Sequence, residues 1–128
     1  MPANPRGIQE RTFEFGVEVI RLVNRLPRTI AGNAVGQQLI RAGTAVGANM
    51  QEADAAESKK DFIHKTAIAL KEAQEAHYWL RLMNTALLPK DNDGQLLTQE
   101  AYELSRILGA IKRKAQQPKP ARPAALPD

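Results

Sequence analysis

Side chains suited to a packed seam return along this chain at alternating steps of three and four. Between residues 59 and 88 they are Phe62, Thr66, Ala69, Ala73, Ala76, Leu80, Met83 and Leu87. Further on they are Leu97, Ala101, Leu104, Leu108 and Ile111. This is how one stripe of a helix meets its neighbours in a left-handed bundle. A third segment repeats the pattern with Leu39, Gly43, Val46, Met50 and Ala53, with Gly36 and Gly47 close by. Small residues there let a neighbouring backbone come near, at some cost in helix propensity. The first segment carries two stripes. One is Phe13, Gly16, Val17, Ile20 and Val23; the other is Phe15, Val19, Leu22 and Leu26.

Local signals bound the helices. The first is predicted over Arg11 to Leu26, stopping before Pro27, because proline disfavours helix in the residue before it. The second is predicted from an Asn33 cap to Ala56. Ser58 caps the third, with Asp61 at the acidic position of a capping box, and Leu88 ends it before Pro89. Lys90 to Gly94 read as a loop. The fourth runs from Leu97 to Ala115. Short connections join antiparallel neighbours, so the predicted fold is all-α, an up-down-up-down antiparallel four-helix bundle. Residues 1–10 form an N-terminal extension and 11–115 the bundle. Residues 116–128, with four prolines, form a basic tail expected to be disordered or extended.

Two helices carry more apolar surface than one seam uses, which points to self-association. The predicted interface is Phe15, Val19, Leu22 and Leu26 of the first helix with Trp79 of the third.

Composition narrows the chemistry. The 128 residues are 43% hydrophobic and 25% charged, which suits one domain with a core. Cysteine is absent, so no disulfide or thiolate site exists. No apolar run approaches the roughly 18 residues of a membrane span, and the N-terminus lacks a signal-peptide core. A cytoplasmic protein is expected. The net charge of +4 resides at one end. Lys112, Arg113, Lys114, Lys119 and Arg122 stand against Asp128 alone, whereas residues 1–110 hold 13 cations and 13 acids. A basic tail on a neutral body suits a polyanion, so these five are the candidate nucleic-acid contacts.

Catalysis finds little support. Asp61-x-x-His64 is half of a di-iron bundle motif, but the fourth helix offers Glu100 and Glu103 without a histidine. A ferritin-like metalloenzyme therefore ranks last, and no metal or cofactor is expected. His77 reads as a packing or interface residue rather than a general base. Gly43-x-x-x-Gly47 lies within a helix, so it is no phosphate loop. No nucleophile–base set is present, and a non-enzymatic protein is expected. Asn49 and Glu52 share a helix face; with Arg41, Glu75 and Tyr78 they are expected to form a structural polar network between the second and third helices.

Certain runs also carry a family resemblance. They are Gln38-Leu39-Ile40-Arg41-Ala42, Val46-Gly47-Ala48-Asn49-Met50-Gln51-Glu52-Ala53, Ser58-Lys59-Lys60-Asp61-Phe62, Ile68-Ala69-Leu70-Lys71-Glu72-Ala73 and Tyr78-Trp79-Leu80. Together they resemble the small four-helix bundles first noticed in intervening sequences of bacterial 23S rRNA genes, the S23-like proteins. The chain departs from many relatives at Lys71-Glu72, where they carry Gly-Ser. More distantly it is similar to the accessory protein of diversity-generating retroelements. The resemblance implies a homopentamer and a link to RNA or another nucleic acid, and it allows a protein partner such as a reverse transcriptase. The alternative expectation is a protein-binding scaffold or adaptor without nucleic-acid contact.

Overall fold

The computed structural model describes residues 7–118. Its helices are α1 (Gly7–Val23), α2 (Ile30–Asp54), α3 (Lys59–Ala86) and α4 (Asn92–Gln116). Each packs on the next, and α4 returns to α1 through the slightest of the four seams. Diagonal helices do not meet, so the four stand around one core as an antiparallel bundle. No helix among the described residues is long and apolar enough to cross a membrane. The expected disordered tail falls almost wholly outside the described residues, as do residues 1–6.

The caps explain where helices begin. Ser58 accepts from the Asp61 amide at 3.0 Å, as the sequence predicts. α2 starts before Asn33 because Thr29 is the cap, its extended backbone placing Oγ1 3.0 Å from the Gly32 amide. α4 starts before Leu97 because Asp91 accepts from the Gly94 amide at 2.8 Å. Asn92 to Gly94 are thus a first helical turn rather than loop. Aspartate and threonine both suit caps, and local sequence alone does not rank them against a later asparagine. α1 begins at Gly7, ahead of Arg11, and its regular part ends at Val23, with turn hydrogen bonds carrying the chain to Leu26.

The predicted seams of α2, α3 and α4 face the core. Leu39, Val46, Met50, Ala69, Ala73, Ala76, Leu80, Met83, Leu104 and Leu108 are buried. Phe62, Leu87 and Ile111 are half-buried at the bundle ends. Two glycines draw α1 close to α2. A Cβ on Gly43 would stand 2.8 Å from a Val19 methyl, and one on Gly47 would stand 3.1 Å from the Thr12 carbonyl oxygen.

α1 corrects one expectation. Phe15, Val19, Leu22 and Leu26 are buried in the chain's own core, so they have no surface to offer a second copy. Of the other stripe, Phe13 and Ile20 face outward, 64% and 42% exposed, whereas Gly16 is buried and Val23 packs against the core. Trp79 is half-buried against the core, and its Nε1 donates to Glu75 at 3.2 Å.

Ion pairs tie the helices from outside the core. The buried Arg11 of α1 donates twice to Glu100 of α4, at 2.8 and 2.7 Å, and reaches Glu103 at 3.5 Å. Arg25 holds Asp91 at 2.7 Å and Asp93 at 3.5 Å. Arg41 of α2 bonds Glu72 at 3.0 Å, and bonds Glu75 as well. The Arg41 guanidinium and then the Trp79 N–H hold the Glu75 carboxyl below its ordinary range. Arg25 and then the Gly94 amide do the same for Asp91.

Two outcomes follow for stability. Phe15→Ala should cost about 3–5 kcal/mol in a denaturant titration, because it empties a closed core site. Phe62→Ala should cost clearly less, and equal costs would contradict the assignment of Phe15 to the core. The second outcome concerns acid. Both carboxyls have folded values below their unfolded ones, so their contribution is present above the ordinary range and is lost as pH falls through the folded value. Stability should therefore drop below about pH 4. Arg25→Ala should shrink that drop, and an unchanged pH profile in the variant would count against the Asp91 assignment.

Candidate nucleic-acid interface

The two antiparallel hairpins differ in charge. α1 has two cations and three carboxylates, and α2 has one cation and two carboxylates. α3 has five cations and three carboxylates, and α4 has four cations and three carboxylates. Ion pairing sharpens the contrast. Arg11, Arg25 and Arg41 come from the first hairpin and its connection, yet they contact Glu72, Glu75, Asp91, Asp93, Glu100 and Glu103 of the second hairpin and its connection, three positive charges against six negative. They offset half of that negative charge and so enlarge the cationic excess that α3 and α4 already carry. Among the described residues, Lys59, Lys60, Lys71, Arg81, Arg106, Lys112, Arg113 and Lys114 of α3 and α4 stand in no ion pair, while Lys65 pairs with Glu52 at 3.3 Å.

The expected nucleic-acid contacts divide. Lys112, Arg113 and Lys114 occupy the last turn of α4, where cations also complement the helix dipole. Lys119 and Arg122 lie outside the described residues. Lys114 joins Lys59 of α3 around a hollow of about 610 Å³ floored by Phe62 and Ile111. Lys59 Nζ donates to the Gln117 carbonyl at 3.1 Å, tying the start of α3 to the end of α4.

Arg113 turns into a different recess, a groove of about 740 Å³ between α3 and α4. Arg106 shares it, and so do His77 and Tyr102, whose ring centroids are 6.1 Å apart. Burial, and then the charge of Arg81, lowers the His77 pKa and leaves its ring neutral near pH 7. Sequence reasoning missed Lys59 and Arg106. The signal for Arg106 was its seven-residue spacing from Arg113, two helical turns along one face.

The polar network takes another membership. Arg41 and Glu75 belong to it, joined by Glu72 and Trp79. Asn49 instead donates to the Ala45 carbonyl of its own helix at 2.9 Å, and Glu52 pairs with Lys65. Tyr78 is exposed and meets Trp79 edge-on at 5.1 Å. A half-buried asparagine can satisfy itself on its own turn instead of across helices, which spacing alone does not reveal. Among the described residues no three His, Asp or Glu side chains gather where they could hold a metal ion.

Known proteins place this arrangement. Nothing among curated proteins matches the chain significantly. A crystal structure from Bacteroides thetaiotaomicron, of a protein of unknown function from the S23 ribosomal protein family, is 31% identical. The alignment covers 82% of this chain and 97% of that one, with a TM-score of 0.73. The profile of the 23S rRNA-intervening sequence proteins matches residues 7–110. This chain therefore belongs to the 23S rRNA-intervening sequence protein family.

Proposed function

We propose that this protein is a self-associating, non-enzymatic bundle that binds RNA through the cations of α3, α4 and the C-terminal stretch. The observation that carries this is the charge separation. Three arginines of the first hairpin and its connection offset half the carboxylate charge they contact on the second, and eight cations of α3 and α4 stand in no ion pair and are available for phosphate. Phosphate contacts of this kind position a polyanion without reading its sequence. The ribosomal context in the names of the family and of the structural neighbour is in keeping with an RNA partner.

Self-association falls to the outward strip of α1. Phe13, Val17 and Ile20 flank a hollow of about 380 Å³ floored by Gly16, Thr44, Gly47 and Ala48. Apolar side chains of that size left in water at adjoining turns favour burial against another copy. The family resemblance suggests five copies.

RNA binding should weaken steeply with salt, by a slope near −0.7 per phosphate contact for a single strand. Replacing Lys112, Arg113 and Lys114 with glutamine should weaken it about 10-fold at moderate salt and flatten the slope by up to about 2 units. A titration of labelled RNA at two salt concentrations measures both. Absence of binding at low salt would transfer the case to the protein-adaptor reading, for which the α1 strip is the natural docking surface.

Phe13→Ser with Ile20→Ser should release 14.1 kDa monomers with helix content retained, seen by sedimentation at micromolar protein. A wild-type protein that is itself monomeric there would overturn the self-association.

A further inference from the structure

The groove between α3 and α4 contains a glycine that no helix packing explains. Glycine inside a helix lowers its stability relative to alanine. Gly43 and Gly47 have a reason, since α1 fills the space above them. Above Gly109 a Cβ would meet only the Arg113 guanidinium, with Nη1 at 3.3 Å. Arg113 thus folds back one turn along α4 and lies over the glycine, inside the groove.

Arg106 folds back in the same sense. Its Nη1 donates to the Tyr102 hydroxyl at 3.1 Å, and its guanidinium carbon lies 5.8 Å from the ring centroid. The two heads are therefore seated about 10 Å apart along α4, from a rise of 1.5 Å per residue. Tyr102 and His77 bring their rings together across the groove from opposite helices. Among the described residues, no carboxylate lines it.

Guanidinium forks match phosphate oxygens, and exposed rings accept a base face by stacking. A base inside a duplex already has both faces covered, so rings in a cleft between helices select unpaired strands. We propose that this groove binds a short stretch of unpaired nucleic acid, with Arg106 and Arg113 on its phosphates and Tyr102 and His77 against one base. This rests on the RNA-binding reading above, and it adds a place, a strand type and a role for each side chain. Neutral His77 serves as a ring rather than as a charge.

The test uses the full chain and fluorescence anisotropy with three labelled probes: a ten-nucleotide oligouridylate, an abasic strand of the same length, and a blunt RNA duplex. Oligouridylate should bind about 10-fold more tightly than the abasic strand, as one base stacked on a ring warrants. It should also bind more tightly than the duplex. Tyr102→Leu should abolish the preference over the abasic strand; because it also removes the hydroxyl that seats Arg106, abasic binding should weaken too, but by less than oligouridylate binding. Gly109→Ala should raise the unfolding midpoint by about 2–5 °C. The same variant should weaken oligouridylate binding about 3- to 10-fold, because its methyl group displaces the Arg113 head.

If wild-type protein binds no probe at low salt, the RNA-binding reading and the groove fall together. If it binds all three probes alike, or both variants bind as wild type does, contact lies elsewhere on the cationic side. The groove is then overturned while the broader reading stands. A Gly109→Ala protein that loses stability as well as affinity would assign the glycine to packing and overturn the Arg113 seat. An oligoglutamate peptide that binds as tightly as oligouridylate would make the groove a site for acidic protein and overturn the assignment to nucleic acid.

Discussion

The pair between buried Arg11 and half-buried Glu100 closes the bundle. It lies in the slightest of the four seams, between the first helix and the last. A buried guanidinium must be paired, so its carboxylate fixes the rotation of α1 as well as its position. Phe15, Val19, Leu22 and Leu26 stand four, eight, eleven and fifteen residues beyond Arg11, on its helical face. Once Arg11 faces α4, those four face the core, Phe13 and Ile20 are left outside, and Val17 is half-buried between them.

The same pairing organises the surface. A formally neutral body gives little reason to expect a cationic side. Yet Arg11, Arg25 and Arg41 reach from one hairpin to the carboxylates of the other. They hold the structure together and in doing so make α3 and α4 more electropositive. The exposed pairs of Arg25 and Arg41 add little to stability individually. Their larger effect is on where the uncompensated charge lies, which governs how a polyanion is drawn to the molecule.

The surfaces proposed for self-association and for RNA contact lie on different sides. The apolar strip belongs to α1 and the neighbouring face of α2, while the cations and paired rings belong to α3 and α4. Were the proposed assembly built through the first hairpin, the second would be left available to bind, and repeated copies of a weak phosphate-binding surface would act together through effective concentration.

Much of the fold was legible in the chain. The three-and-four spacing named the inward faces of α2, α3 and α4, because each presents a single apolar stripe and the hydrophobic effect leaves it one place to go. The Ser58 cap was equally plain, since a hydroxyl and an amide three residues apart suffice to make it. The basic last turn of α4 was visible from composition. Three matters needed the tertiary structure. With two stripes on α1, periodicity was silent on which faces inward, and a partner eighty-nine residues away decided. Carboxylates were counted against cations nearby in sequence, but long side chains from elsewhere in the chain offset half of their charge. The groove side chains, His77 and Tyr102 with Arg106 and Arg113, come from two helices whose register is set by core packing. No local pattern brings them together, because what joins them is contact across space rather than spacing along the chain.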